Sequence, residues 1–566
     1  MNPVRSSSMP RRLPLFLLLL STLPAPAADL TARVVVYGAT PAGLAAAVAA
    51  ADEGVSVLVV EPTTHIGGMV TGGIAITDTG TPQFVGGLAR QFFEEAAELE
   101  ARPAREDPPQ LLFHGRSIPY RTPRRWDIEP KFMRAVFERW VRDHRLRILT
   151  HQTIASVAAQ EGRIVSFQLA GGATVRGDVF IDASYEGDLM ARSGVTHTWG
   201  RESKSKYGES LAGIREPHFK RNYTAVEYAT PTIEYMHHGQ FGASIPAMGS
   251  GGKLLWGVAP GPSGPTGEGD RLMQAYCFRL IATQLKDLLV PWPKPRRYQP
   301  LRYELLLRYI RAHPGISFAR LVHLGPIPNG KWDLNASGPF SIDYIGGNRG
   351  FVEAGPAERK RILQDHIDYQ QGFLWFLAHD PRVPTELRQE VNSWGLCRDE
   401  YPDTGHWPVQ LYIRECRRMT GAYVMTEHDV LRDNVKPDSV AMGSFVLDSH
   451  WVHRFAGAQG NVRVEGHLDE SINLARNPYE IPYRSLTPRE SECANLLVPV
   501  CLSATHVAIC TIRMEPVYMM LGEAAGRAAA LAALQNKPVQ QLDVSALLRR
   551  LEDRGGILNR KAAGPR

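Results

Sequence analysis

Two stretches of this chain gather side chains that can do acid–base chemistry. Near one end, Ser503-Ala-Thr-His506 is followed by Arg513-Met514-Glu515-Pro516. Histidine gains and loses a proton near neutral pH, so His506 is a candidate acceptor for a substrate proton. Arg513 carries a permanent planar cation suited to a carboxylate or another developing negative charge. These two are the candidate catalytic residues. Glu515 reads as a structural charge at a helix start. The second stretch, Arg414-Glu415-Cys416-Arg417-Arg418, packs four charges into five residues. Its spacing predicts a helix with Arg414 and Arg418 on one face, either as substrate-binding residues or as a solvated basic surface. His406-Trp407 and Lys331-Trp332-Asp333 could line a pocket for a polar ring, but read first as surface packing.

A third feature would hold a ligand rather than transform one. Arg33 to Tyr37 is a β-branched apolar run that stops at Gly38, and the chain continues Gly38-Ala39-Thr40-Pro41-Ala42-Gly43. An alanine-rich helix, Leu44 to Ala51, leads to a second apolar run, Val55 to Val60, which ends in Glu61. This order of strand, glycine turn, helix, strand and acid binds dinucleotides. The helix N-terminus faces the pyrophosphate, and the acid meets the ribose hydroxyls. Thr40 stands where the middle glycine of the usual turn would be. Shortly after the acid comes His65-Ile66-Gly67-Gly68-Met69, whose paired glycines let backbone pass close to a flat ligand.

These motifs resemble those of FAD-dependent oxidoreductases of the glutathione-reductase and fumarate-reductase flavoprotein type. The resemblance continues through Val179 to Asp188, Leu411 to Arg418, Ile481 to Arg484 and Asn495 to Ala530, in motif order. It implies FAD rather than NAD as cofactor. The implied FAD contacts are Gly38, Thr40, Pro41, Ala42, Gly43, Glu61, Gly67, Gly68 and Met69. Asp182 would lie beside the cofactor and the backbone near Ile154 against adenine. Ser503, Met514 and Pro516 would lie at the flavin, with the dipole of the helix Val517–Leu534 favouring negative charge there. The usual Gly-Asp before this turn is replaced by Pro499-Val500-Cys501. His65 could carry a covalent flavin link, although its spacing differs from that of the fumarate-reductase relatives.

The expected fold is α/β: a discontinuous, Rossmann-like FAD-binding domain with an inserted α+β substrate or cap domain. Its parts are a signal peptide at 1–27, FAD-binding segments at 28–200 and 481–540, the insertion at 201–480 and a tail at 541–566. Before the insertion, Lys131 to His144 reads as an amphipathic helix, Leu146 to Leu149 as a strand and Ile154 to Phe167 as a meander. Near the end, Asn495 to Val500 reads as a strand. Met248-Gly-Ser-Gly-Gly252 lacks a flanking strand and helix, so no second dinucleotide site is evident. Electrons would therefore pass directly between a small organic substrate and the flavin. The expected reaction is dehydrogenation of an alcohol, sugar or amine, with O₂ or another acceptor taking the electrons. The alternatives are reduction of an activated double bond and non-catalytic FAD binding.

Composition narrows the class further. Of 566 residues, 44% are apolar and 22% charged, which suits a globular chain. Arg11-Arg12, the apolar run Leu13 to Leu20 and Ala25-Pro26-Ala27 predict a secretory leader and a periplasmic or secreted protein. Its removal takes Arg5, Arg11 and Arg12 and lowers the net charge from +6 to +3. So small an excess, with no basic stripe, argues against nucleic acid. No later apolar run is long enough to predict a membrane span. The six cysteines form no Cys-x-x-Cys pair, and no metal is expected. Export would permit disulfides; buried free thiols are the plainer expectation.

Overall fold

The computed structural model describes residues 29–101, 126–215, 241–431, 435–468 and 478–563, together with two short strands at 112–113 and 116–117. The expected leader lies outside the described residues. The protein is a mixed α/β structure organised around two sheets.

The first sheet grows from the glycine turn. Strand β1 (Asp29–Tyr37) leads into helix α1 (Pro41–Asp52) and strand β2 (Val57–Val60). Val34, Val35 and Val36 are all wholly buried, as expected of a strand covered on both faces. Helix α2 (Gly68–Gly72) follows, then α3 (Gly87–Glu100) and α4 (Pro130–Asp143). Strands β3 (Arg147–Leu149), β4 (Ile154–Gln160), β5 (Arg163–Leu169) and β6 (Thr174–Asp182) complete most of the sheet. The order is β3-β2-β1-β6-β5-β4. β3, β2, β1 and β6 are parallel, with Tyr37 opposite Val60 on one side and Asp182 on the other. β4, β5 and β6 form an antiparallel meander.

The second sheet is wholly antiparallel and comes from the middle of the chain. Its strands are β7 (Leu280–Thr283), β8 (Leu289–Val290), β9 (Val322–Ile327), β10 (Lys331–Ala336) and β11 (Gly395–Cys397), in the order β8-β11-β7-β10-β9.

The C-terminal part returns to the first sheet. The expected strand Asn495–Val500 is only two residues long, β12 (Leu496–Leu497), and runs parallel to the end of β6. Between this strand and the last long helix lies a short helix, α5 (His506–Ile512). Next is α6 (Glu515–Gln535), which packs along α1. Gly522 and Gly526 allow this: a Cβ on Gly522 would sit 2.1 Å from the Ala42 carbonyl oxygen, and one on Gly526 2.2 Å from that of Ala46. Among the described residues α6 is the one helix long and apolar enough to cross a membrane; here nearly all of it is buried inside the protein. All six cysteines are buried and unpaired.

Candidate active site

The turn after β1 is shaped for close approach. Gly38 has φ +97°, and a Cβ there would meet the Ser184 amide nitrogen at 2.7 Å. A Cβ on Gly43 would stand 1.9 Å from the Gly38 carbonyl oxygen. Thr40 shows why the missing glycine is tolerated. Its hydroxyl donates to Ala183 O at 2.7 Å and accepts the Gly43 amide at 3.2 Å, capping α1 and tying it to the end of β6. Pro41 has no amide hydrogen, and Leu44 donates to Thr40 O. Among the described residues this leaves the buried Ala42 amide as the first-turn donor without a protein partner, at the positive end of a 12-residue helix. A phosphate oxygen is the chemical group that fits there.

Glu61 stands at the end of β2, as the spacing requires. Its Oε2 accepts the Ala39 amide at 2.7 Å, and Oε1 accepts the amide and hydroxyl of Thr63 at 2.8 and 2.7 Å. Burial raises its pKa against the pull of those bonds. The acid therefore braces the turn, and a carboxylate oxygen with one donor can still accept another.

The Gly67-Gly68 turn is joined to the start of α6. Gly67, at φ +92°, donates its amide to Ala39 O at 2.7 Å. The Met69 amide donates to the Tyr185 hydroxyl at 3.0 Å, and that hydroxyl donates to Glu515 Oε1 at 2.7 Å. Burial pushes the Glu515 carboxyl up to about 8, and its Oε2 is buried without a partner among the described residues. Met514 is the N-cap of α6 and Pro516 lies in its first turn. His65 turns back on its own loop, with Nε2 2.9 Å from Thr71 Oγ1, and burial lowers its pKa to about 4.

Three other expected contacts have clear structural partners. Asp182 accepts the amide and hydroxyl of Ser184 and the Met190 amide, closing the turn after β6, and burial raises its pKa to about 6. Ser503 accepts the Gly421 amide at 3.0 Å. Ile154 opens β4 opposite Leu169.

The expectation of a helix at Arg414–Arg418 is corrected. The segment is extended: Tyr412 bridges to Cys277, and Arg418-Met419 pair with His197-Thr198. Neither arginine is on a solvated face. Arg414 is ion-paired with Asp343 at 3.0 Å, with its guanidinium over the Tyr412 ring. Arg418 donates to Glu202 Oε1 at 2.8 Å, Glu415 Oε2 at 3.1 Å and the carbonyls of Gly200 and Ala504. Buried counter-charges far away in sequence outweigh the i,i+4 pattern.

This extended segment runs beside α5. Arg513, just past the helix, donates to the Tyr412 hydroxyl and to Asp448 Oδ2, both at 2.8 Å. His506, the first helical residue, has Nδ1 2.9 Å from Glu415 Oε2, while its Nε2 is buried and has no partner among the described residues. His506 and Arg513 are both buried, at opposite ends of one short helix.

Several neighbours of the site carry no signal in the sequence. Lys331, Trp332 and Asp333 are buried on β10 and are not a surface cluster. Asp333 Oδ2 accepts the amides of Ala75 and Ile76, binding the chain beyond the Gly-Gly turn to the second sheet. The next acid in that chain, Asp78, has its carboxyl raised to about 7 by burial and by Asp448, against Arg279 and Arg513. Local pattern gives no signal for such groups, because their partners are hundreds of residues away.

The model of the FAD dependent oxidoreductase family matches residues 33–551. The chain belongs to this family. FAD is its cofactor. No curated protein matches the sequence. Similar solved structures include OxyS anhydrotetracycline hydroxylase from Streptomyces rimosus, at 14% identity over 33% of this chain and 41% of that one, TM-score 0.22. NikD, an unusual amino acid oxidase essential for nikkomycin biosynthesis, is 16% identical over 31% and 57%, TM-score 0.22. The 3-ketosteroid-Δ4-(5α)-dehydrogenase of Rhodococcus jostii RHA1 is 18% identical over 30% and 50%, TM-score 0.19. The chain spans about half the length of these proteins, or less.

Proposed function

We propose that this flavoenzyme dehydrogenates a small polar substrate, an alcohol, sugar or amine, and that electrons leave to O₂ or another acceptor. Bound FAD supplies the two-electron redox chemistry. The first sheet, from residues 28–200 and 481–540, is the discontinuous Rossmann-like domain that holds it, and 201–480 is the inserted cap, with 541–566 a tail. Gly38 to Gly43 receive the pyrophosphate, the Ala42 amide donating to it, and Glu61 receives the ribose. Gly67, Gly68, Met69, Ser503, Met514 and Pro516 line the flavin end. Asp182 and Ile154 shape the wall behind it. The leader at 1–27 directs the protein to the periplasm or outside the cell.

His506 takes the substrate's hydroxyl or amine proton at Nε2. Arg513 keeps a positive charge near the start of α6, where the helix dipole also favours negative charge. Arg414 and Arg418, committed to Asp343, Glu202 and Glu415, hold the walls of the site. One observation carries this reading: a buried histidine is gripped at one ring nitrogen and has no partner among the described residues at the other.

The test is anaerobic mixing of the FAD-loaded enzyme with sugars, alcohols and amines, following loss of the flavin's visible absorption. At least one should bleach it. His506→Ala should keep FAD and slow that reduction by roughly 10²–10⁴-fold. Wild-type reduction rates in the FAD-loaded variant would overturn the role of His506, and no bleaching by any of the three classes would overturn the substrate class.

A further inference from the structure

One ion network grips His506 at both ring and backbone. Glu415 Oε2 lies 2.9 Å from its Nδ1 and also accepts Arg418 Nη1 at 3.1 Å. The other oxygen, Oε1, accepts the Gln274 amide at 2.9 Å. Arg418 reaches on to Glu202, whose Oε2 accepts the amide of His506 itself at 2.9 Å. Thr505 caps the helix behind it, accepting the Ala508 amide and donating to Glu209. All these side chains are buried.

The protonation pattern follows from the donors and acceptors. Burial opposes a charge on Glu415, but the His506 ring, Arg418 and the Gln274 backbone amide pull the carboxyl down, and Arg418 and that amide do so whether the ring is neutral or charged. An ionised carboxylate only accepts hydrogen bonds, so Nδ1 must carry the proton between them. A neutral ring with hydrogen on Nδ1 has a bare lone pair on Nε2.

We propose that Glu415 is a positioning residue: its carboxylate fixes the His506 proton on Nδ1 and leaves Nε2 as the open acceptor. This rests on the reading of His506 as the proton acceptor. When the substrate's O–H or N–H bond gives its proton to Nε2, the ring becomes a cation, and that charge lies directly against Glu415. Glu202 and Arg418 hold the carboxylate and the helix end in register. A carboxylate serves the histidine twice, by selecting the tautomer before transfer and by stabilising the cation after it.

The test compares Glu415→Gln, Glu415→Asp and His506→Ala as FAD-loaded enzymes. Nitrogen NMR of protein labelled at histidine, with His506→Ala identifying the signal, reads the tautomer without any substrate. The wild type should show hydrogen on Nδ1 and none on Nε2. Glu415→Gln should lose that preference, because an amide can also donate to Nδ1. With a substrate that bleaches the flavin, Glu415→Gln should be reduced roughly 10²–10⁴-fold more slowly. Its acid limb should move to lower pH, since the partner of the cation is gone. Glu415→Asp should recover part of the rate.

Hydrogen on Nε2 in the wild type would overturn the proposal, whatever the variants do. So would wild-type rates and pH profile in Glu415→Gln beside a slow His506→Ala. Normal reduction in His506→Ala is a different failure: it removes the reading of His506 while the measured tautomer still reports what Glu415 does.

Discussion

Arg279 lies across Asp333, its Nε and Nη2 donating to the same carboxylate oxygen at 2.9 and 2.6 Å. The other oxygen holds the amides of Ala75 and Ile76. One acid thus neutralises a buried guanidinium and pins the chain beyond the Gly-Gly turn to the second sheet. Asp333→Asn keeps an oxygen for the amides but removes the directly bonded counter-charge of the guanidinium, leaving Asp78 as its nearby acid. Removing one partner of a buried pair costs about 3–5 kcal/mol. Urea unfolding should show a loss of that size. Arg279→Met with Asp333→Asn should recover part of it, because no buried cation then lacks its bonded acid; a double variant no more stable than the single one would show that the lost counter-charge is not the cause.

Gly43 gives a prediction for cofactor retention. Its missing Cβ would be 1.9 Å from the Gly38 carbonyl, a backbone atom that no side-chain rotation can move. Gly43→Val should therefore lose FAD and also lower the unfolding temperature. Gly43→Ala should do the same in milder form, by about 1–3 kcal/mol. Released flavin per polypeptide and a thermal melt check both. Full FAD content in Gly43→Val would mean that this turn does not carry the pyrophosphate.

The glycine turn was legible because it is local: strand, turn, helix and acid are consecutive, and each residue type answers to backbone geometry. The environment of His506 was not. Glu415 lies 91 residues before it with Arg418 in the same stretch, and Gln274 and Glu202 come from two further places. Arg414 and Arg418 read as a helix face because charges at i and i+4 usually signal one. In the structure each charge is balanced by an acid elsewhere in the chain, which sequence spacing does not reveal. Helix α5 is short, and the residues after His506 are apolar except Thr511, so it carries little periodicity. Lys331 and Asp333 looked like surface for the same reason as the arginines: their burial depends on Glu129, Asp399 and Arg279.

Gly522 should reverse the usual helix rule. Alanine favours a helix over glycine by about 1 kcal/mol at an open position. Here a Cβ would meet the Ala42 carbonyl oxygen at 2.1 Å, and α1 would have to move away from α6. Gly522→Ala should lower the unfolding temperature and shift the start of α1, weakening FAD retention as well. A stabilised Gly522→Ala would show that the two helices can separate without penalty.

Glu515 gives a pH dependence with a defined sign. Its carboxyl has the ordinary glutamate value of 4.5 when the chain is unfolded, and burial raises it to about 8 in the fold. Below pH 4.5 both states are protonated and the group contributes nothing. Between 4.5 and 8 the folded protein keeps a proton that the unfolded chain has lost, so stability falls as pH rises. Above 8 both states are ionised and the penalty stays. A glutamine side chain at this position cannot ionise, yet its oxygen can still accept the Tyr185 hydroxyl now given to Glu515 Oε1. Glu515→Gln should therefore match the wild type most closely at pH 4.5 and gain on it steadily toward pH 8. Urea midpoints across that range measure the gap. A constant gap would mean that the acid is ionised throughout, with its charge stabilised by a partner other than Tyr185.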